Sequence, residues 1–266
     1  MARANRHFFS DSVWHITHRC HNKEFLLNFI CDRRNWLRWL FQAKLRFDLC
    51  ILNYIVTSNH IHLLVFEKTG ENSIPHSMQL VAGRTGQDYN RRKKRRGAFW
   101  EDRYHATAVE TDDHLADCMT YIDLNMVRAN AVDIPADWAH SGYFEIQNPS
   151  ERYSLIDRKQ LISLLDLSGF KDLQDFCQYQ IEKKLASDGW ARREAQWTES
   201  VAVGSHKFTA ETKSKLGVRA KGRKITNSLD GSTFKLSEPE TTYNVVSDTK
   251  NRALRSENTH LWMLKE

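Results

Sequence analysis

The stretch Asn59-His60-Ile61-His62-Leu63-Leu64-Val65 combines the apolar residues of a buried strand with two closely spaced histidines. Side chains alternate between the faces of a strand, so His60 and His62 project on one side and Ile61 on the other. Their Cα atoms are about 7 Å apart in a strand, so both imidazoles can bind one metal ion if a third ligand comes from another element. The short pattern also fits a half-exposed strand with two histidines on its polar face.

Four segments read as β-strands, because β-favouring residues alternate or run together between turn residues. They are residues 13–19, 50–56, 60–66 and 104–109. Turn residues at 57–59 separate the second segment from the third, which predicts an antiparallel pair.

Helical patterns fill the intervals between these strands. Residues 24–47 predict one long helix, because large apolar residues recur at spacings of four and seven: Phe25, Phe29, Trp36, Leu40 and Phe47. A second helix begins near Pro75, and a third follows the last strand. The order β-α-β-β-α-β predicts an α+β, ferredoxin-like (RRM-like) antiparallel sheet with helices on one face and the other face free.

The character of the chain changes beyond residue 148. Residues 154–186 look helical in two pieces, and from residue 225 onwards the pattern is irregular and rich in Ser and Thr. We therefore predict a first domain over 1–148, a mainly helical, basic C-terminal extension over 149–224, and an irregular tail over 225–266.

The 266-residue chain carries a net charge of +6 and has a pI near 9.0. Its basic residues are concentrated in one unbroken run of six cations and in a second stretch between Lys213 and Lys224. A single run of this kind fits a solvated loop, whereas two runs in a basic protein favour a polyanionic partner. The candidates for phosphate contacts are Arg91, Arg92, Lys93, Lys94, Arg95, Arg96, Lys221 and Arg223.

Five cysteines without a Cys-x-x-Cys pair predict reduced thiols, and the absence of a long apolar run or a signal-peptide pattern predicts a cytoplasmic protein with no membrane partner. A zinc site is conceivable from His15, His18, Cys20 and His21. Their crowding along one short strand makes a tetrahedral shell awkward.

On the helix after the fourth strand, Tyr121, Asn125 and Arg128 follow each other at i, i+4 and i+7 and so line one side. Such a stripe is by itself consistent with a solvated helix flank. Together with the histidines it predicts a metal site at His60, His62 and Asn125, with Tyr121 one turn away. Neutral imidazoles, an amide oxygen and water suit Mg²⁺ or Mn²⁺ acting on a phosphate.

The motif His60-Ile61-His62, followed by Tyr-Ile-Asp-Leu-Asn-Met-Val-Arg-Ala at residues 121–129, resembles the single-tyrosine HUH (His-hydrophobic-His) transposases, described as transposase IS200-like. Among them it is most similar to the REP-associated tyrosine transposases. The resemblance extends over residues 8–145 and includes the stretches 14–17 and 99–104. Family members commonly have a proline where this chain has Met126.

The resemblance implies a metal-dependent endonuclease and strand transferase for single-stranded DNA, acting beside a hairpin such as a repetitive extragenic palindrome. It implies that His60 and His62 bind the metal and that Tyr121 is the nucleophile, leaving a 5′-phosphotyrosine and a free 3′-hydroxyl. Asn125 occupies the position where relatives usually have a Gln ligand. Relatives include monomers and homodimers. The basic residues above, with Arg103 and Arg128, are the expected DNA contacts.

Two other functions fit parts of the pattern. A non-catalytic RRM-like nucleic-acid-binding protein would use the same strand order, but it depends on aromatic residues at central-strand positions that are histidines here. A zinc-dependent hydrolase would need a carboxylate or a third histidine near the pair. Trp100 and Tyr104 are candidates for stacking on unpaired bases, and each also fits a core position.

Overall fold

The chain is built around a sheet of four N-terminal strands: β1 (Ser12–Arg19), β2 (Cys50–Val56), β3 (His60–Glu67) and β4 (His105–Val109). They lie in the order β2-β3-β1-β4, and every neighbouring pair is antiparallel. This confirms the predicted α+β, ferredoxin-like fold. The computed structural model describes residues 8–70, 72–111, 113–150, 152–187, 190–227 and 233–237.

Two long helices, α1 (Ile30–Phe47) and α2 (Ser73–Lys93), pack against each other and against the β2–β3 side of the sheet. After β4 come α3 (Asp113–Asp123) and the single turn α4 (Asn125–Arg128). The two continue through Leu124, whose N–H donates to the carbonyl of Thr120 at 3.0 Å and whose carbonyl accepts from the N–H of Arg128 at 2.9 Å. The helical spacing from Tyr121 to Arg128 is therefore preserved.

Helix α1 begins at Ile30, six residues later than predicted. The segment before it is held against the β2–β3 turn, because the N–H of Leu27 donates to the carbonyl of Ser58 at 2.9 Å. Arg33 then donates to the carbonyl of Leu27 at 3.1 Å. Phe25 and Phe29, which the spacing assigned to the apolar side of the helix, are consequently 61% and 53% exposed.

The sheet is covered on both faces, whereas the sequence predicted one free face. Helix α2 lies on the face of His18, which stacks on Trp100, and Trp100 Nε1 donates to the carbonyl of Ala82. Helix α3 lies on the opposite face, where Tyr121 contacts His62. The reason is that β3 carries fully buried apolar residues on both of its faces, and such a strand needs two covering layers.

The rest of the chain adds helices and three more strands to this core. The helices are α5 (Gly142–Gln147), α6 (Arg158–Leu164), α7 (Phe170–Leu185), α8 (Gln196–Glu199) and α9 (His206–Leu216), and the strands are β5 (Ser200–Gly204), β6 (Lys224–Asn227) and β7 (Phe234–Ser237). Short 3₁₀ turns lie at His21–Lys23, Pro135–Asp137 and Gly217–Ala220. Within the described residues, none of the helices has the length and apolar character needed to cross a bilayer.

The added strands extend the sheet to seven, in the order β2-β3-β1-β4-β5-β7-β6. Strand β5 runs parallel to β4, with Ala108 opposite Ala202 and Val109 opposite Val203. The C-terminal extension is therefore not purely helical, and β6 and β7 lie partly or wholly in the segment predicted to be an irregular tail. Residues 238–266 of that predicted tail lie outside the described residues.

Gly142 lies where α5 packs tightly against β2. A Cβ atom placed on Gly142 would lie 2.1 Å from Asn53 Oδ1 and 3.0 Å from the backbone nitrogen of Tyr54. The carboxamide of Asn53 is buried and donates to Asp123 Oδ1 at 2.9 Å, so it cannot move aside without losing that bond. By contrast, Gly83 is an exposed residue of α2, and a Cβ atom placed on it would meet nothing within 4 Å.

The two glycines predict substitutions of opposite sign. Gly142→Ala should lower the free energy of unfolding by about 1–3 kcal/mol, because the new methyl group overlaps backbone and a fixed amide. Gly83→Ala should raise it by about 0.5–1 kcal/mol, because alanine restricts the unfolded chain and favours the helix. Urea denaturation of both variants checks this, and a neutral Gly142→Ala would contradict the packing at α5.

Candidate active site

A cleft of about 520 Å³ opens where the ends of β1 and β3 meet the helix that carries Tyr121. It is lined by residues from five separate parts of the chain, including the extension. The residues that line it include Thr17, Arg19, His60, His62, Glu101, Asp102, Arg103, Tyr121, Asn125, Arg128, Arg193 and Glu199.

The pairing of β1 with β3 determines which side chains share this face. Thr17 lies opposite His62, and Arg19 lies opposite His60. Directly opposite residues of an antiparallel pair project on the same side, so Arg19 joins the two histidines at the rim of the cleft. The centroids of the two imidazoles are 5.0 Å apart.

His60 is oriented by the turn that precedes it. Its Nδ1 lies 2.7 Å from Asn59 Oδ1 and 3.0 Å from Thr57 Oγ1. The amide of Asn59 donates its Nδ2 to the carbonyl of Lys23, so Oδ1 is the acceptor and His60 Nδ1 carries the proton. Burial, and next the charge of Arg19, lower the pKa of His60 to about 4, so the ring is neutral with Nε2 unprotonated.

His62 lies deeper, with only 2% of its surface exposed. Its Nε2 is 3.0 Å from Asn125 Nδ2, and its Nδ1 is 2.9 Å from Nε2 of His15. Burial, followed by the neighbouring His60, lowers the pKa of His62 well below its usual value. Asn125 also acts on His60, where it opposes part of the fall in the pKa of that ring.

This donor set fits a divalent ion of the Mg²⁺ or Mn²⁺ type. Two neutral imidazoles and a carboxamide converge, and a metal requires imidazoles in this deprotonated form. Among the described residues, no three His, Cys, Asp or Glu side chains are arranged to hold an ion. An ion bound here would therefore have His60, His62 and Asn125 as protein ligands and would take its other ligands from water or substrate.

Tyr121 lies beside the histidines in the same chain. Its ring centroid is 5.7 Å from that of His62, and the ring is 4% exposed. Arg128 lies over the ring, with Cζ 4.2 Å from the centroid, and its guanidinium donates to the carbonyl of Tyr121 at 2.5 Å. Burial raises the pKa of Tyr121, while the charges of Arg128 and Arg193 oppose that rise. The resting side chain is thus a neutral phenol beside two cations.

Four guanidinium groups line the cleft, from Arg19, Arg103, Arg128 and Arg193, together with three carboxyl groups, from Glu101, Asp102 and Glu199. Arg193 forms an ion pair of 2.8 Å with Glu199 at the rim. Arginines beside a buried phenol can hold a phosphodiester, because guanidinium groups pair with phosphate oxygens in a fixed geometry.

Of the predicted site residues, the structure brings His60, His62, Tyr121, Asn125, Arg103 and Arg128 into the cleft. The run Arg91–Arg96 does not line it. Its first three residues belong to the last turn of α2, the other three follow the helix, and most of the six are exposed. Arg92 pairs with Asp32, and Arg95 lies 3.8 Å from Glu24. Lys221 and Arg223 lie in the turn before β6 and are not among the residues that line the cleft.

The other residues singled out from the sequence have structural contacts. Trp100 stacks on His18 with ring centroids 4.1 Å apart, and Tyr104 stacks on Phe8 at 6.5 Å. The conceivable zinc site does not form among the described residues, because His15 and His18 lie on opposite faces of β1.

Sequence reasoning did not assign Arg19, Arg193 or Trp197 to this site, and it considered His15 only as a zinc ligand. Strand alternation could have indicated two of them, because His15 and Arg19 are an even number of residues apart in β1 and therefore share a face. Arg193 and Trp197 come from the extension, where no local pattern indicates a contact with Tyr121. The ring of Trp197 nevertheless lies 6.4 Å from that of Tyr121.

Comparisons with known proteins bear on the N-terminal part. The model of the family described as transposase IS200-like matches residues 8–125, which confirms the resemblance predicted from the sequence. The structure of a REP-associated tyrosine transposase bound to a REP hairpin is 15% identical with a TM-score of 0.48, covering 56% of this chain and 87% of that one. A crystal structure of a proposed transposase from Deinococcus radiodurans R1 is 13% identical with a TM-score of 0.32, covering 48% and 91%. None of the curated proteins matches.

Proposed function

We propose that this chain, whose residues 8–125 match the IS200-like transposase family, is a metal-dependent endonuclease and strand transferase that cleaves single-stranded DNA beside a hairpin. The family match supports a transposase-type, DNA-cleaving enzyme. The finer assignment rests on one observation, namely that a buried phenol, two neutral imidazoles and four guanidinium groups share one cleft.

In the proposed reaction the hydroxyl oxygen of Tyr121 attacks the scissile phosphorus, and its proton passes to solvent. The bond from phosphorus to the 3′ oxygen breaks, and that oxygen takes up a proton. The products are a 5′-phosphotyrosine and a free 3′-hydroxyl. Attack of a 3′-hydroxyl on the phosphotyrosine reverses the step and rejoins DNA without an external energy source.

The chain's own groups favour this attack. Arg128 and Arg193 favour the developing phenolate, because positive charge near the ring offsets the cost of burying a negative oxygen. His60, His62 and Asn125 would hold the ion. A bound Mg²⁺ or Mn²⁺ supplies Lewis-acid neutralisation of charge on the phosphate.

The DNA partner is proposed to extend beyond the cleft. The run Arg91–Arg96 and the residues Lys221 and Arg223 supply cations outside the cleft, where they would neutralise phosphates of a hairpin stem and make affinity fall with salt. A hairpin of the repetitive extragenic palindrome type fits the resemblance noted above. The RRM-like alternative has less support, because helices α3 and α8 cover the sheet face that such a binder would leave open.

We expect Tyr121→Phe to abolish covalent capture of DNA while hairpin binding is retained, because the change removes only the attacking oxygen. The measurement is incubation with a labelled single-stranded oligonucleotide and Mn²⁺, followed by denaturing electrophoresis. Tyr179→Phe, at an exposed tyrosine of α7, is the matched control and should still form the adduct. An adduct that persists in Tyr121→Phe would reassign the nucleophile.

Metal dependence is tested by replacing both imidazoles. The double variant His60→Ala, His62→Ala should lose cleavage by more than about 100-fold, as should the wild type after chelation, because the phosphate charge is then not neutralised. His76→Ala, at an exposed histidine of α2, should cleave normally. Unchanged cleavage in the double variant would dismiss the metal site.

Tyr121 and His62 approach each other within one chain, so we expect cleavage to occur in cis. Mixing the double histidine variant with Tyr121→Phe should therefore leave cleavage undetected, because neither chain has a complete cleft. Recovery of cleavage in the mixture would mean that the helix carrying Tyr121 acts in a partner's cleft, in a homodimer rather than a monomer.

A further inference from the structure

His15 is a buried histidine of β1 to which the proposed reaction gives no role. The ring is completely inaccessible and makes two hydrogen bonds. Its Nδ1 lies 2.8 Å from the carbonyl oxygen of Trp197, and its Nε2 lies 2.9 Å from Nδ1 of His62. His15 thus connects helix α8 of the extension to a candidate metal ligand.

The bond between the two histidines has favourable geometry. The rings of His15 and His62 are nearly parallel, at 10°, with centroids 5.0 Å apart. The ring centroids are much farther apart than the two bonded nitrogens, which are 2.9 Å apart. The two rings therefore lie edge to edge rather than one above the other. In that arrangement the N–H of one ring points along the lone pair of the other, which is the direction a strong hydrogen bond requires.

The positions of the protons follow from the order of the partners. A carbonyl oxygen can only accept, so Nδ1 of His15 donates to Trp197. His15 is fully buried, which disfavours the charged ring, so it is neutral. A neutral imidazole has one N–H, so Nε2 of His15 accepts, and Nδ1 of His62 must be its donor. The remaining nitrogen of His62, Nε2, therefore presents a lone pair, and it accepts from Asn125 Nδ2 in the cleft.

We propose that His15 is a positioning residue that holds His62 in the Nδ1–H tautomer, so that Nε2 of His62 presents its lone pair to a divalent ion. This inference rests on the proposed metal site. His60 reaches the same tautomer by a different route, through Asn59 and Thr57 on the more open rim. At His62 no such turn is present, and burial keeps the ring from using solvent as its partner.

The tautomer can be measured without metal or DNA. In full-length protein labelled with ¹⁵N-histidine, two-bond ¹⁵N–¹H correlations should identify His62 as the Nδ1–H tautomer. His15→Phe fills the same space without a hydrogen-bonding nitrogen and should shift His62 to a mixture or to Nε2–H. His15→Gln should restore Nδ1–H, because its amide oxygen can accept from His62 while its amide nitrogen donates to Trp197.

Metal affinity gives the second readout. Mn²⁺ titration followed by electron paramagnetic resonance should show affinity weakened about 10- to 100-fold in His15→Phe and changed less than about threefold in His15→Gln. Hairpin binding without metal should be equal in all three proteins. A purely structural role for His15 would instead alter thermal stability and leave the His62 tautomer as it is in the wild type.

The outcomes separate this inference from the proposed function. His62 in the Nε2–H form in the wild type overturns the inference even if the variants do not fold. If His15→Phe leaves both the His62 tautomer and the Mn²⁺ affinity unchanged, the inference about His15 is overturned, while the proposed metal site stands. If His15 governs the tautomer but neither the wild type nor the variants bind Mn²⁺, the proposed metal-dependent function is wrong, and so is the role assigned to the tautomer.

Discussion

The register between β1 and β3 is the constraint on which the cleft depends. Pairing Thr17 with His62 and Arg19 with His60 puts every second side chain of both strands on the face below Tyr121. A slip by one residue would turn the side chains that β1 contributes to the cleft onto the other face of the sheet, under α2. Such a slip would also move the buried side chains of Trp14 and Ile16 onto the cleft face, so the packing of the core helps to maintain the geometry of the polar site.

Burial then determines the chemistry available at that face. An imidazole removed from water must be neutral and must find hydrogen-bond partners, and the chain supplies different partners at each position. The turn at 57–59 serves His60, whereas β1 and the extension serve His62. The same burial keeps Tyr121 protonated at rest, and nearby arginines reduce the cost of deprotonating it. The proposed metal ligands and the proposed nucleophile thus share one low-dielectric environment.

The sequence predicted the parts of the fold that depend on local periodicity. Strand β2 and the start of β3 match the predicted bounds, because alternation and turn residues act over a few positions. The helix start at Ile30 was missed, since the apolar spacing of Phe25 and Phe29 continues into a segment that long-range hydrogen bonds hold out of the helix. The added strands of the extension and the contact of Trp197 with the cleft were missed for the same reason. They depend on pairing across many residues, which no local pattern encodes.

The parallel pairing of β5 with β4 brings α8, the turn just before β5, to the back of the cleft. From there a single main-chain carbonyl, that of Trp197, reaches the imidazole network, and the indole of the same residue packs near the phenol. Such an extension is not an interchangeable module. A graft from another protein would have to reproduce a carbonyl at one point in space and a large aromatic ring beside it, so the two halves of this chain are expected to diversify together.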